Sequence, residues 1–357
     1  MNVENIIHAV LMKTPVPFLN LNASELDLKF EVTQEGQQLT MAFSASFPID
    51  FIKKSLSSVL EKALADALPE FTVIVTLESF IRAHKTQLAG KGLREVKNTI
   101  AVASGKGGVG KSTVTINLAT ALARSGARVG ILDADIYGPS IPIMLGSKEA
   151  LNIQDDRYLP IFAHGLQAMS IGYLTKDESA LIWRGPMLAK ALIQMLDITA
   201  WDSLDYLFID LPPGTGDIQL SLVQKIPLTG AIIVTTPQAV ATLDAEKAIN
   251  LFSKTNIDVL GIIENMSSHV CSHCGHQEAI FSEGGALALA KRLQKPLLGQ
   301  IPLDAKMVRH GDEGTPTASI GEDELAMTWM TVALHTAIVL GKKPLNYADK
   351  FPNIVVE

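Results

Sequence analysis

Cysteine is almost absent from this sequence. Its 357 residues contain two cysteines, Cys271 and Cys274. A pair this close together cannot supply a disulfide framework, and such low usage is typical of proteins kept in a reducing compartment. Two neighbouring thiols at this spacing indicate a metal or redox site instead.

Basic charge and long apolar segments are also scarce. Lys and Arg number 30 against 37 Asp and Glu, so the chain lacks the overall basic charge of a nucleic-acid-binding protein. The N-terminus has no basic segment leading into a sustained apolar run, and the apolar stretch 325–340 is shorter than the roughly 20 residues that cross a bilayer. We therefore predict a cytoplasmic protein with no nucleic-acid or membrane partner, and a buried helix over 325–340.

Glycine is rare in the first quarter of the chain. Of 26 glycines, only Gly36 comes before Gly90. This change in composition predicts two units: a small α+β domain over residues 1–85 and a larger domain over 98–357, joined by a polar, basic linker over 86–97. The isolated histidines His8 and His84 are expected at the surface.

The two units differ in their hydrophobic pattern. Alternating apolar residues at 26–32 and 39–45 predict two strands, followed by an amphipathic helix over about 50–68 and a third strand at 71–77. After residue 98, short and continuously apolar strand candidates, one of them at 259–263, alternate with helical stretches. This alternation is typical of a parallel sheet covered by helices on both faces, so the fold class predicted for the second unit is α/β.

A glycine-rich loop follows the first strand of the second unit. The motif G-x-x-x-x-G-K-[ST] between a strand and a helix predicts a phosphate-binding site, because backbone N–H groups and the helix N-terminus favour phosphate. Lys111 is predicted to neutralise phosphate charge and Ser112 to offer its hydroxyl to Mg²⁺. Lys106 adds a second cation, which is expected to stabilise charge in the transition state of hydrolysis. The predicted nucleotide-binding residues of the loop are Gly105, Lys106, Gly107, Gly108, Val109, Gly110, Lys111, Ser112 and Thr113.

Acidic residues suited to the metal follow two later strands. Asp210 ends an apolar strand at 206–209 and begins a loop that reaches Asp217; it is predicted to bind Mg²⁺ through water. Gly214 and Gly216 allow this loop to move with the state of the γ-phosphate. A second acidic segment, 132–140, follows another strand candidate, and its proximity to a phosphate loop favours a functional role over an ordinary turn.

The cysteine pair admits several interpretations. Thiolates suit zinc or an iron–sulfur cluster, and a cluster usually takes four of them, so Cys271 and Cys274 from each of two chains could share one cluster. A zinc site that also uses His269, His273 or His276 is the main alternative. A thioredoxin-like dithiol is less favoured, because no helix is predicted to begin at the first cysteine. Inert, buried thiols are also less favoured, because the residues around the cysteines are polar.

Together these motifs resemble those of a known class of ATPases. Residues 105–113 are similar to the deviant phosphate loop of the MinD/ParA/nitrogenase-iron-protein class, in which Lys106 would be the signature lysine. The segments 133–142, 210–217 and 264–266 and the cysteine pair resemble the Mrp/ApbC iron–sulfur cluster carrier ATPases, over roughly residues 98–340. Residues 1–85 resemble a small iron–sulfur-assembly domain, but they contain no cysteine, so we expect no cluster site there.

The resemblance implies a homodimer that hydrolyses ATP slowly. It implies that Asn265 contacts the adenine, that Asp135 and Asp217 lie in switch regions, and that Asp135 helps to position the attacking water. Lys106, Asp135 and Asp217 are therefore the predicted catalytic residues. The predicted function is an ATP- and Mg²⁺-dependent carrier that holds a cluster, of the 4Fe–4S type, across a dimer and passes it to apo iron–sulfur proteins, in contact with cluster-assembly factors.

Two other functions are compatible with the motifs. One is a positioning or partition-type ATPase that alternates between surface-bound and free states. That function needs an attachment surface, and residues 341–357 contain no sustained basic amphipathic helix. The other is a zinc-stabilised nucleotide-binding scaffold.

Overall fold

The N-terminal unit is a small α+β domain. The computed structural model of the chain describes residues 3–88, 91–136, 138–147, 149–174, 185–271 and 273–346. The first unit contains a three-stranded sheet in the order β1-β2-β3, in which β2 is antiparallel to β1 and parallel to β3. Its elements are α1 (Val3–Lys13), β1 (Lys29–Glu35), β2 (Gln38–Ala45), α2 (Asp50–Ala67) and β3 (Thr72–Ser79). The predicted order of strand, strand, helix and strand is confirmed.

Among the residues described, the second unit is built on a nine-stranded sheet flanked by helices. Its core strands are buried along their whole length, as expected for parallel strands covered on both faces. The elements are β4 (Val96–Ser104), α3 (Lys111–Arg124), β5 (Val129–Asp133), α4 (Ile141–Met144), β6 (Ile153–Gln154), β7 (Arg157–Tyr158), β8 (Ile161–Ala163), β9 (Leu166–Ser170), α5 (Gly185–Ile198), β10 (Leu204–Asp210), α6 (Asp217–Lys225), β11 (Gly230–Thr235), α7 (Ala239–Lys254), β12 (Val259–Val270), β13 (Gln277–Glu278), α8 (Gly285–Leu293), β14 (Leu297–Leu303), α9 (Ala305–Asp312) and α10 (Glu324–Gly341).

The strand order brings several loops to one edge of the sheet. The order is β13-β12-β11-β4-β10-β5-β9-β8, and β14 also pairs with β12. Pairing is parallel except for β12 with β13 and β8 with β9. Because β5, β10 and β4 are parallel neighbours, Asp210 lies in register with Asp133 on one side and Val102 on the other. The predicted parallel α/β fold is confirmed.

Helix α10 is a core element. Asp323 caps it by accepting a hydrogen bond from the backbone N–H of Ala326, and Trp329 in the second turn is fully buried. By length and composition, this helix is also a candidate membrane span, but 67% of it is buried inside the protein. The predicted burial of 325–340 is confirmed.

The two units share one hydrophobic core. The same continuous cluster of buried side chains contains Phe43 and Leu56 of the N-terminal unit, Ile116 of α3 and Trp329 of α10. The backbone N–H of Asp50, at the start of α2, donates to the carbonyl oxygen of Ser125 at 3.1 Å. The first unit therefore packs against the carboxyl end of helix α3.

The segment between the units is anchored at its start. Lys85 donates its backbone N–H to the carbonyl oxygen of Pro344 at 2.9 Å. The ring of His84 is buried, with Nδ1 2.9 Å from Oδ1 of Asn98 and Nε2 3.4 Å from the carbonyl oxygen of Gly341. The expected surface position of His84 is wrong, and burial lowers the pKa of this ring below its usual value.

Trypsin is expected to cut this region after Lys91 or Arg94 before it cuts after Arg82 or Lys85. Lys91, Arg94 and Lys85 all have exposed side chains, but, of the described residues in this region, only the backbone at 82–85 is hydrogen-bonded to residues 344–346 and to the side chain of Asn98 on β4. Mass spectrometry of fragments from a short, limited digest measures the order of cleavage. Early cleavage after Lys85 would contradict the anchored segment and favour the freely accessible linker predicted over 86–97.

Candidate functional site

The glycine-rich loop spans the gap between β4 and α3. Gly108 and Gly110 both have φ of +80°, a left-handed conformation that side chains other than glycine rarely adopt. Gly105 lies against the backbone of α7, where a Cβ atom would collide with the carbonyl group of Asp244. Helix α3 begins at Lys111, so the loop delivers its backbone N–H groups to a helix N-terminus, an arrangement that favours a bound anion.

Lys111 is held by a buried carboxylate. Its Nζ lies 2.8 Å from Oδ2 of Asp210, and the two side chains are 6% and 0% exposed. Ser112 Oγ donates to the same oxygen at 2.6 Å, and Thr115 Oγ1 donates to Oδ1 at 2.6 Å. Asp210 therefore ties the end of β10 to the first two turns of α3. Thr115 was not predicted from the sequence; its position one helical turn after Lys111 was the available signal.

A second buried carboxylate lies beside the first. Asp133 ends β5 and is fully buried; Ser170 Oγ donates to its Oδ2 at 3.0 Å. Burial and the neighbouring carboxylate of Asp210 raise the pKa of Asp133 to about 7. Asp135, predicted from the sequence to be catalytic, lies two residues further on and is half-buried, and its backbone N–H donates to Oδ1 of Asp133 at 3.1 Å. Asp133 lies inside the acidic segment 132–140 that the sequence marked as functional, but the predicted role was given to Asp135.

The loop after β10 lies against the phosphate loop. The backbone N–H of Gly214 donates to the carbonyl oxygen of Ser104 at 3.1 Å, and Ser104 Oγ donates to the carbonyl oxygen of Lys106 at 2.8 Å. Lys106 is half-buried, and Asp217 is exposed as the first residue of α6. Lys106 is thus connected through Ser104 to the loop that ends at Asp217.

Asn265 contacts the other side of the phosphate loop. Its Nδ2 donates to the carbonyl oxygen of Val109 at 2.9 Å, and a Cβ atom on Gly110 would collide with this nitrogen. Glu264 precedes it and is buried, accepting hydrogen bonds from Gln300 and from the start of α8. Within the described part of the chain, the buried Oδ1 of Asn265 has no hydrogen-bond partner. The side chain of Asn265 is therefore fixed in orientation, and its Oδ1 is an acceptor without a hydrogen-bond partner among the described residues.

The two cysteines lie in a β-hairpin. The predicted strand at 259–263 is too short, because β12 continues to Val270 and pairs with β13 beyond the cysteines. Cys271 closes the turn through two backbone hydrogen bonds, to the carbonyl oxygen of His276 and from the N–H of Gly275, both at 2.9 Å. Cys271 is half-buried and Cys274 is exposed, and neither forms a disulfide. Strand β12 therefore joins Asn265 directly to the cysteine hairpin.

Backbone geometry favours the thiolate of Cys271. The sulfur of Cys271 accepts hydrogen bonds from the backbone N–H groups of His273 and Cys274 and from the thiol of Cys274. These hydrogen bonds lower the pKa of Cys271 below its usual value. His269 lies 3.6 Å from Glu278, measured from Nδ1 to Oε1. Over the described ranges, no three His, Cys, Asp or Glu side chains are grouped closely enough to hold a metal ion. Each chain therefore presents two neighbouring free thiols at the end of β12.

Comparison with known proteins agrees with this arrangement. The model of a family described as "ParA: NUBPL iron-transfer P-loop NTPase" matches residues 95–337. A protein of Haemophilus influenzae named iron-sulfur cluster carrier protein is 47% identical over 337 residues, which cover 92% of this chain and 90% of the relative. An Escherichia coli K12 protein of the same name is 55% identical over 252 residues, covering 70% of this chain and 68% of the relative.

Solved structures show the same fold. A nucleotide-binding protein from Archaeoglobus fulgidus, in complex with ADP, is 41% identical with a TM-score of 0.55, covering 62% of this chain and 87% of that one. The cell division ATPase MinD of Pyrococcus furiosus is 23% identical with a TM-score of 0.50, covering 67% of this chain and 97% of its own; at that identity the likeness extends to the fold alone. With the loop, the two strand-end aspartates and the family match together, the chain belongs to the ParA family of iron-transfer P-loop NTPases, as the sequence resemblance predicted.

Proposed function

We propose that this protein is a cytoplasmic, ATP-dependent carrier of an iron–sulfur cluster that works as a homodimer. It binds ATP with Mg²⁺, holds one 4Fe–4S cluster between two subunits, and passes it to apo iron–sulfur proteins. The observation that carries the proposal is strand β12, which lies beside the phosphate loop at Asn265 and ends in the hairpin of Cys271 and Cys274. The names of the relatives from Haemophilus influenzae and Escherichia coli support the same cargo.

The phosphate site has the donors that a magnesium nucleotide needs. The Asp210 carboxylate and the Ser112 hydroxyl are hard oxygen donors of the kind that Mg²⁺ prefers. When bound, Mg²⁺ neutralises phosphate charge. Since Lys111 is paired with Asp210, nucleotide binding requires its Nζ to turn from the carboxylate toward phosphate. Asp210 then keeps its hydrogen bonds from Ser112 and Thr115, which hold the carboxylate in place.

Hydrolysis is assigned to three residues around the loop. Lys106 supplies a second cation on the loop, where charge develops on the transferred phosphoryl group. Asp135 positions the attacking water, with its backbone already held by Asp133. Asp217 begins α6 after a glycine-containing loop, so its position responds to the γ-phosphate. Slow turnover suits a protein in which nucleotide state controls loading or release.

The cluster is the cargo, and two chains are required to hold it. Each chain offers two thiolates, and a four-iron cluster usually takes four. A twofold axis through the hairpins supplies the other pair. Because Cys274 is exposed, the cluster would sit at a surface from which a recipient protein can take it.

Anaerobic reconstitution with iron and sulfide tests the proposal. We expect about one four-iron cluster per two chains, together with a shift to the dimer in size-exclusion chromatography. The same samples are assayed for zinc. Colourless protein that contains about one zinc per chain, with no dependence on dimerisation, would replace the carrier function by the zinc-stabilised scaffold.

Replacing Asn265 with alanine is expected to remove most of the preference for ATP over GTP. Its Nδ2 donates to the carbonyl oxygen of Val109, so the unpartnered, buried Oδ1, once nucleotide binding uncovers it, would accept from the amino group of adenine but would face the carbonyl oxygen of guanine. A single such contact is expected to change the affinity ratio about tenfold. Equilibrium binding of both nucleotides measures the ratio, with Asn5→Ala on the exposed side of α1 as the control. An unchanged ratio in Asn265→Ala would remove Asn265 from the base site.

A further inference from the structure

Two helices begin at the phosphate site and end against different parts of the chain, α3 against the N-terminal unit and α6 against the segment between the units. Helix α3 starts at Lys111, and its carboxyl end at Ser125 accepts the backbone N–H of Asp50. Helix α6 starts at Asp217 and ends at Lys225. With 9 residues, α6 is about 14 Å long, short enough to move as one rigid body.

The carboxyl end of α6 is held by the side chain of Gln87. Its Nε2 donates to the carbonyl oxygens of Val223 at 2.9 Å and Ile226 at 2.7 Å, and its Oε1 accepts the backbone N–H of Leu228 at 2.7 Å. The backbone N–H of Gln87 also donates to the carbonyl oxygen of Leu228 at 3.3 Å. The side-chain amide of Gln87 thus donates to two carbonyl oxygens at the end of α6 that have no hydrogen-bond partner within the helix.

The segment that carries Gln87 is tied to other parts of the molecule. Lys85 pairs with Pro344, just after helix α10. The His84 ring bonds to Asn98, and Asn98 donates its Nδ2 to the carbonyl oxygen of Arg82 at 2.9 Å. Asn98 lies on β4, the strand that runs into the phosphate loop. A displacement of α6 therefore acts on a segment already fastened to the sheet and to the terminal helix.

We propose that Gln87 is a positioning residue for the phosphate site. It fixes the carboxyl end of α6 and so sets where Asp217 lies, and in return a nucleotide-driven shift of α6 reaches the segment 82–88 and the N-terminal unit. The inference rests on the proposed function, because it takes nucleotide as the ligand that moves Asp217. Gly214, with φ of +96°, and Gly216 precede α6 and provide the hinge.

Hydrogen–deuterium exchange of the full chain, with and without Mg·ATP, tests the coupling. In the wild type, peptides covering 82–88 and 217–228 are expected to change their exchange together when nucleotide binds. Equilibrium dialysis of ATP on the same sample separates the two proposals. If ATP does not bind, the proposed function fails; if ATP binds and 82–88 is unchanged, the coupling fails.

The variant Gln87→Met keeps the length of the side chain and removes its hydrogen bonds. We expect kcat for ATP hydrolysis to fall about three- to tenfold, with KM within about twofold, and the exchange response at 82–88 to disappear while that of the phosphate loop remains. The control is Gln34→Ala, which changes an exposed glutamine on β1 whose amide donates to the carbonyl oxygen of Gly36, two residues later. An unchanged kcat in Gln87→Met, together with an intact exchange response at 82–88, would overturn the proposal. If Gln87→Met does not fold, the exchange response of the wild-type protein at 82–88 decides whether the coupling exists.

Discussion

Replacing Lys111 with alanine is expected to abolish tight ATP binding. Its Nζ is the buried cation at the start of α3, 2.8 Å from Asp210, and it is the group positioned to meet phosphate when the loop is filled. Charge-assisted hydrogen bonds contribute about 1.5–3 kcal/mol each, so losing two of them weakens binding by roughly 100-fold or more. Isothermal titration with Mg·ATP measures the loss.

The matched control is Lys106→Ala in the same loop. Lys106 is half-buried and has no ion pair in the described part of the chain, so we expect its removal to leave ATP affinity within about fivefold while hydrolysis falls at least about 100-fold. Phosphate release under saturating ATP measures turnover. Normal hydrolysis by Lys106→Ala would mean that the signature-lysine assignment is wrong.

Folding must be checked in the Lys111 variant. Removing this lysine leaves Asp133 and Asp210, two fully buried carboxylates, without their nearby cation, and an uncompensated buried charge is costly. We therefore expect a lower melting temperature for Lys111→Ala. The double variant Lys111→Ala/Asp210→Asn removes one of the charges, so recovery of stability without recovery of ATP binding separates the two effects.

Replacing either Cys271 or Cys274 with alanine is expected to reduce bound iron and sulfide to background after anaerobic reconstitution. Either change leaves one thiolate per chain and two per dimer, half of what a four-iron cluster usually takes. ATP affinity is expected to stay within about twofold, because the hairpin lies beyond the strand residues that contact the phosphate loop. Iron and sulfide assays with visible absorption measure the cluster.

His273→Ala is the matched control for the hairpin. It removes an imidazole next to the cysteines and keeps both thiols. If the thiolates hold a cluster, iron content is unchanged; if Cys271, Cys274 and His273 hold zinc, the zinc content falls instead. Loss of iron in His273→Ala with both cysteines present would contradict a cluster held by thiolates alone.

The parts of the site that lie within one short stretch of sequence could be predicted from local patterns. The phosphate loop was predictable because strand, glycines, lysine and helix follow one another within about twenty residues. The parallel sheet was predictable from buried strands such as β10 and β11, which are apolar at nearly every position.

Features that depend on distant parts of the chain were not predictable. The proximity of Asp133 to Asp210 depends on the pairing of β5 with β10, which lie far apart in sequence. The burial of His84 depends on Gly341, 257 positions later. The full length of β12 was hidden because polar residues such as Ser267 and His269 continue the strand through pairing with β13 and β14 rather than through an apolar pattern.

The continuity of β12 constrains how the chain can change length. Side chains on a strand alternate between its two faces, so inserting or deleting one residue between Met266 and Cys271 would turn the hairpin over relative to Asn265. Met266 already uses a left-handed conformation, with φ of +56°, where the pairing with β14 shifts register. An added or removed residue is therefore expected to be tolerated in the turns of this protein but not between Asn265 and the thiols.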